Sequence, residues 1–128
     1  MKDYKGKMVF YGTDNINNKM DNIIESFNLK NQHFEIKLII SEALNNAFIH
    51  GNKSDKNKPI YVEWRIDKSN LTLTVTDCGV GIEGLEINKE INNSNIFDEN
   101  GRGLYIINCY TDEVSFKGNS IIMKKRIS

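Results

Sequence analysis

Proline is almost missing from this chain: Pro59 is the only one in 128 residues. No proline-rich linker divides the sequence, and a chain of this size supports one hydrophobic core and little more. One domain over residues 1–128 is therefore expected. Cysteine is scarce as well, with Cys78 and Cys109 alone. Two thiols so far apart, without a histidine cluster, make no zinc pattern. The N-terminus, M-K-D-Y-K-G-K, lacks the apolar stretch of a signal peptide. The cysteines then read as reduced thiols in a cytoplasmic protein. No apolar run approaches the roughly 18 residues of a membrane span, so no membrane is expected. Net charge is absent too, because 17 basic residues cancel 17 acidic ones. No basic run is long enough to follow a phosphate backbone, which sets nucleic acid aside as a partner. Lys124, Lys125 and Arg126 read as a solvated strand end.

What is present places the chain among folded globular domains, with 39% hydrophobic and 27% charged residues. Met8 to Tyr11 is a short apolar and aromatic run that predicts a first strand. Thr13 or Asp14 is a cap for the helix after it, in which Ile16, Met20, Ile23, Ile24 and Phe27 fall at helical spacing. Asn28 to Asn31 reads as a turn. A second helix is expected from about Gln32 to His50, stopped by Gly51 and followed by the polar loop N-K-S-D-K-N-K-P. Ile60, Val62, Trp64 and Ile66 alternate with polar neighbours, and so do Leu71, Leu73 and Val75. With D-K-S-N between them they predict a hairpin that is apolar on one face. Gly101-Arg102-Gly103 opens a short helix to about Tyr110. Asp112 to Lys117 and Ser120 to Arg126 predict a closing hairpin turned at Gly118-Asn119. The expected fold class is α+β: a two-layer α/β sandwich with helices on one face of a mixed, mostly antiparallel sheet.

The second helix poses the functional question. Ile36, Ile40, Ala43 and Ala47 share a stripe that should face the sheet. Glu42 and Asn46 lie one turn apart on its flank, between Ile39 and Ile49. Burying an unpaired carboxylate costs several kcal/mol or more, roughly, so Glu42 needs a partner. Two readings are open. Glu42 pairs with a lysine and Asn46 is surface decoration, or the two serve a magnesium and water site, the amide oxygen as a hard ligand and the carboxylate acting on a nucleophile that attacks phosphate.

Two glycine motifs bear on that choice. Asp77-Cys78-Gly79-Val80-Gly81 follows a predicted strand directly. Alternate glycines let another molecule approach the backbone, and the carboxylate at the strand end can accept from an exocyclic amine. Gly101-Arg102-Gly103-Leu104 stands at a helix start, where free N–H groups favour an anion. Each alone is also compatible with a plain turn or helix start, and Leu104, Ile106 and Ile107 read as core.

In this order the stretches resemble the GHKL family of ATP-binding domains, which includes gyrase and the histidine kinases. E-A-L-N-N-A matches that family's N box, D-C-G-V-G its first glycine box and G-R-G-L its second. The H-G after the N box, G-R-G-L-Y-I-I, T-D-E-V and the final G-N-S-I-I-M-K-K are similar to the small anti-sigma-factor serine kinases of bacteria. The similarity runs from about Phe34 to Lys125, and the first thirty residues fit by layout only.

The resemblance implies the Bergerat ATP-binding fold. Carried over residue by residue, Asn46 would hold Mg²⁺ against the triphosphate of ATP and Glu42 would be the general base. Asp77 would receive the adenine amino group, with Gly79 and Gly81 lining the adenine pocket. Residues 85–100 would form a lid over the nucleotide. Gly101, Arg102 and Gly103 would face the phosphates, with Leu104 completing the motif. The implied function is an anti-sigma factor with serine/threonine protein kinase activity. It would phosphorylate an anti-anti-sigma factor and hold a sigma factor inactive, as a homodimer. The alternatives are a nucleotide-dependent partner switch with little or no kinase activity, and a domain without a nucleotide site.

This chain departs from the pattern in carrying Asn119-Ser120 where such kinases usually have Gly-Thr or Thr-Thr, so a hydroxyl at the pocket floor rests on Ser120. Its lid is rich in asparagine and lacks proline. His33 reads as a surface or capping residue, since a histidine kinase would need a separate dimerisation helix. His50 is expected to pack near the phosphate end of its helix, Cys78 to pack within the adenine loop, and Trp64 to be structural.

Overall fold

The computed structural model describes residues 4–12, 16–27, 32–79 and 102–127. In chain order these form β1 (Tyr4–Tyr11), α1 (Ile16–Phe27), α2 (His33–Asn46), a π-helical turn (Ala47–Gly51), β2 (Pro59–Asp67), β3 (Asn70–Thr76), α3 (Arg102–Tyr110), β4 (Glu113–Lys117) and β5 (Ser120–Arg126). The strands make one five-stranded sheet in the order β1-β2-β3-β5-β4. All four described pairings are antiparallel, so the sheet lies at the antiparallel end of what the sequence predicts. The Thr13 or Asp14 cap, the turn at 28–31 and the lid at 85–100 lie outside the described residues.

Register explains the core. Val62 faces Val75 and Trp64 faces Leu73, while Leu73 faces Met123 and Val75 faces Ile121. Cross-strand partners share a face of the sheet, and all of these side chains are buried. Met20, Ile23 and Ile24 of α1 and Ile36, Ile39, Ile40, Ala43 and Leu44 of α2 complete the same apolar cluster. The helices therefore cover one face, as the period-two alternation of the strands requires. β1 begins at Tyr4 rather than Met8. Its early part reads as polar and glycine-bearing, yet Gly6 stands opposite Trp64. A side chain at position 6 would overlap the indole ring, so the glycine is the space Trp64 occupies. Trp64 is structural, as expected.

Charge ties the layers at a few points. Lys37 Nζ lies 3.0 Å and His33 Nε2 3.2 Å from Asp21 Oδ1, joining α1 to α2. Lys37, and after it His33, hold the Asp21 carboxyl below its ordinary value. These groups are well solvated and contribute little to stability.

Lys125 overturns the expectation of a solvated strand end. The alternation Ile121, Met123, Lys125, Ile127 puts it on the core face, and it is 8% exposed. Its ammonium donates to Tyr110 O at 2.9 Å and stands 2.8 Å from Glu35 Oε1. A cation suits the carbonyl end of α3, where the helix dipole is negative. Lys124 and Arg126 point to the other face and are exposed. Lys125→Met keeps the buried stem and loses both polar contacts. It should destabilise the fold by about 1–2 kcal/mol in a urea titration, with Lys124→Met near zero as the control.

Candidate functional site

The predicted stripe of α2 is buried as expected, with Ile36, Ile40, Ala43 and Ala47 all inside. Glu42 and Asn46 are half-buried on the flank. Among the described residues, no hydrogen bond or ion pair engages either side chain. The reading in which Glu42 pairs with a lysine is therefore not what the structure shows there. What stands before the carboxylate is backbone. A Cβ at position 103 would lie 2.9 Å from Glu42 Oε1, so the start of α3 approaches Glu42 as closely as glycine allows. Packing of α2 on α3 thus brings Glu42, in the C-terminal half of α2, against Gly103 at the start of α3. Leu104 is buried beneath them.

The helix does not run as a regular α-helix to His50. It widens at Ala47 into a π-helical turn, closed by Asn52 N–H donating to Ala47 O at 2.8 Å. Ser54 N–H then donates to Phe48 O at 2.8 Å. Lys53 and Ser54 follow in the left-handed region, with φ of 56° and 61°. That conformation costs non-glycine residues about 1–2 kcal/mol each.

The π turn delivers Gly51 to Asp77. A side chain at position 51 would overlap the Asp77 carboxylate, and one at position 79 would overlap Gly51 O. Asp77 is otherwise held by neutral groups. Its Oδ1 accepts Gly79 N–H at 2.7 Å, its N–H donates to Asn119 O at 3.1 Å, and its carbonyl accepts from Asn119 Nδ2. Burial pushes the Asp77 carboxyl above its ordinary value of 3.8, and the bond from Gly79 pulls it partly back. Below Asp77, Thr76 Oγ1 and Ser120 Oγ lie 2.6 Å apart across the β3–β5 pair. The hydroxyl singled out at Ser120 is thus one of a pair with Thr76.

Other expectations are corrected. His50 is exposed on the π turn instead of packed, since the wider turn rotates it outward. Cys78 is exposed too, with Sγ 3.5 Å from Pro59 O. Gly81 and Gly101 lie outside the described residues, and of Arg102 only the backbone at the head of α3 is described. Two residues that matter were not foreseen. Gly51 reads in sequence as a helix stop and proves to be the wall against Asp77. Asn52 reads as loop and is fully buried, its Oδ1 accepting Cys78 N–H at 2.7 Å. No pattern in a lone polar residue after a helix would have singled it out.

A profile of the histidine kinase-like ATPase domain matches residues 18–125. The chain belongs to that family. The match reaches back into α1, further than the Phe34 start read from the motifs. Within this histidine kinase-like ATPase family, the chain is 34% identical to an anti-sigma F factor of Clostridium perfringens (strain SM101 / Type A), over 73% of this chain and 72% of that one. It is 34% identical to the anti-sigma F factor of Geobacillus sp. (strain WCH70) and 31% identical to that of Oceanobacillus iheyensis, over 73% of this chain and 69% of each.

The side chains present fit a magnesium nucleotide. Glycines at 51 and 103 make room for the carboxylates of Asp77 and Glu42, which stand against backbone there. Among the described residues, no group of three His, Cys, Asp or Glu side chains gathers to hold a metal. A divalent ion here would draw on the Asn46 amide oxygen and otherwise on phosphate and water, as Mg²⁺ commonly does.

Asp77 carries a stability cost that its pKa reveals. Because folding raises that pKa, the ionised carboxylate destabilises the fold at neutral pH, and the cost disappears as pH falls to the ordinary value. Asp77→Asn keeps an oxygen for Gly79 N–H. It should raise the melting temperature of the nucleotide-free protein at pH 7, with the gain shrinking on acidification, while nucleotide binding weakens. Gly51→Ala should weaken nucleotide binding at least tenfold, roughly, by displacing the carboxylate. Titration calorimetry on both variants checks these outcomes.

Proposed function

We propose that this chain is an anti-sigma factor that binds ATP with Mg²⁺ and phosphorylates a serine or threonine of an anti-anti-sigma factor, while also sequestering a sigma factor. The observation that carries the reading is Glu42, a half-buried carboxylate with no cation among the described residues, standing against the backbone of Gly103. A base must be free to take a proton, and a salt-bridged carboxylate would be a poor one.

In the proposed reaction the partner's hydroxyl oxygen bonds to the γ-phosphorus and its proton passes to Glu42. The bond from that phosphorus to the β,γ-bridging oxygen breaks, and ADP leaves. Asn46 would hold the magnesium, which when bound neutralises charge on the triphosphate. Asp77 would accept the adenine amine. Gly79 and Gly81 would line the ring, with the Thr76–Ser120 pair beneath it. The backbone of Gly101, Arg102 and Gly103, leading into Leu104, would donate to phosphate oxygens. Phosphoryl transfer asks mainly for positioning and charge stabilisation, which these groups would supply. The domain would span residues 1–128, act in the cytoplasm and work as a homodimer. The names of the relatives, anti-sigma F factors, support the sigma-factor partner.

Glu42→Gln removes the base and leaves the shape. It should bind Mg-ATP within about threefold of the unaltered protein and lose at least about 100-fold in transfer rate, a loss typical of general-base removal. Intact-mass measurement of the partner after incubation with Mg-ATP reads the outcome. Transfer at the normal rate by the variant would remove Glu42 as base. ATP-dependent capture of the partner without phosphate on it, by the unaltered protein, would favour the switch without kinase activity.

A further inference from the structure

Asn52 is 0% exposed, and the chemistry proposed above does not use it. Its amide serves two separate segments at once. The oxygen accepts Cys78 N–H at 2.7 Å. The nitrogen donates to Lys58 O at 3.1 Å and to Pro59 O at 3.3 Å. Its backbone N–H closes the π turn on Ala47 O. One side chain therefore joins the end of the N-box helix, the first residue of β2 and the residue directly after Asp77. The chain beyond it turns through left-handed Lys53 and Ser54, so that junction needs a firm anchor. Cys78 itself lies inside the short loop that the Gly79 N–H to Asp77 Oδ1 bond closes. Holding the Cys78 N–H holds that loop, and the loop sets the direction of the carboxylate.

We propose that Asn52 is a positioning residue that aims the Asp77 carboxylate at the exocyclic amine of an adenine ring, and so sets the base selectivity of the site; this rests on the nucleotide reading above. A hydrogen bond weakens steeply with angle, so a carboxylate free to rotate loses the amine while the triphosphate contacts at α3 persist. Inosine triphosphate tests the aim directly. It carries a ring carbonyl where adenine has the amine, and a site built to accept from an amine rejects it. A residue that merely stabilised the fold would weaken both nucleotides alike.

The experiment measures Mg-ATP and Mg-ITP affinities by calorimetry for the full chain, Asn52→Ala and Asn52→Ser, with thermal melts to confirm folding. The unaltered protein should prefer ATP. In Asn52→Ala, ATP affinity should fall roughly tenfold while ITP affinity changes by less than about threefold, so the preference narrows. Asn52→Ser truncates less and gives the same readout if the alanine variant does not fold. An unchanged ATP-over-ITP ratio in a folded variant overturns the positioning role and leaves the nucleotide site standing. No preference for ATP in the unaltered protein overturns the adenine reading, and the inference falls with it.

Discussion

The candidate site depends on keeping two carboxylates half out of water, with no cation beside them among the described residues. An arginine or lysine beside Asp77 or Glu42 would be the cheap solution for folding. It would also occupy the place a ligand amine or a substrate proton needs. The chain satisfies Asp77 with neutral donors instead. Gly79 N–H bonds the carboxylate, Asn119 holds the backbone on both sides, and the bare α-carbon of Gly51 leaves the second oxygen room. That arrangement leaves Asp77 with a raised pKa, a cost the fold carries for having a receptive group at the end of a strand. The carboxylate of Glu42 stands against glycine backbone in the same way, with no charged partner among the described residues.

The remainder of the domain can be divided by the ends of the sheet. β3 and β5 pair from Asn70–Arg126 at one end to Thr76–Ser120 at the other. The site lies at the second end. The first is closed by structural bonds: Arg126 N–H to Asp112 Oδ2 at 2.6 Å, Ile127 N–H to Ser69 O at 2.8 Å, and Lys125 to Tyr110 O. Lys125 is placed where both site helices have their distant ends. α2 runs from Glu35, which it pairs, to Asn46, and α3 runs from Gly103 to Tyr110, which it caps. One buried ammonium thus fixes the far ends of the two helices whose near ends meet at Glu42 and Gly103. A shift of either helix would open that contact, because a glycine has no side chain with which to follow.

The layer order, the hairpins and the polar flank of α2 could be read from the residues because each rests on local periodicity. Ile60 to Ile66 alternate, Ile36 to Ala47 repeat at helical spacing, and turn residues separate them. Burial of Lys125 was legible by the same rule, since it continues the parity of Ile121 and Met123; its charge concealed it. Gly51 and Asn52 were not legible. Their roles come from contact with Asp77 and Cys78, residues distant in sequence, and nothing local distinguishes a glycine that stops a helix from one that yields to a carboxylate. The π turn follows the same logic. Its wider ring carries Asn52 inward and leaves His50 outward, which a regular 3.6-residue count does not anticipate.

The departure at Asn119-Ser120 then acquires a physical account. A glycine at position 119 would offer Asp77 only a backbone carbonyl, whereas asparagine keeps that carbonyl for Asp77 N–H and adds a side-chain amide that donates to Asp77 O. The strand end carrying the carboxylate is therefore clamped from the β5 side by Asn119, as Cys78 is from the α2 side by Asn52. Ser120, beside it, pairs with Thr76 across β3 and β5. Each hydroxyl can donate to one partner while accepting from another, so the pair keeps capacity for a further hydrogen bond. Two asparagines thus hold the backbone on either side of one carboxylate, and neither brings a positive charge to it.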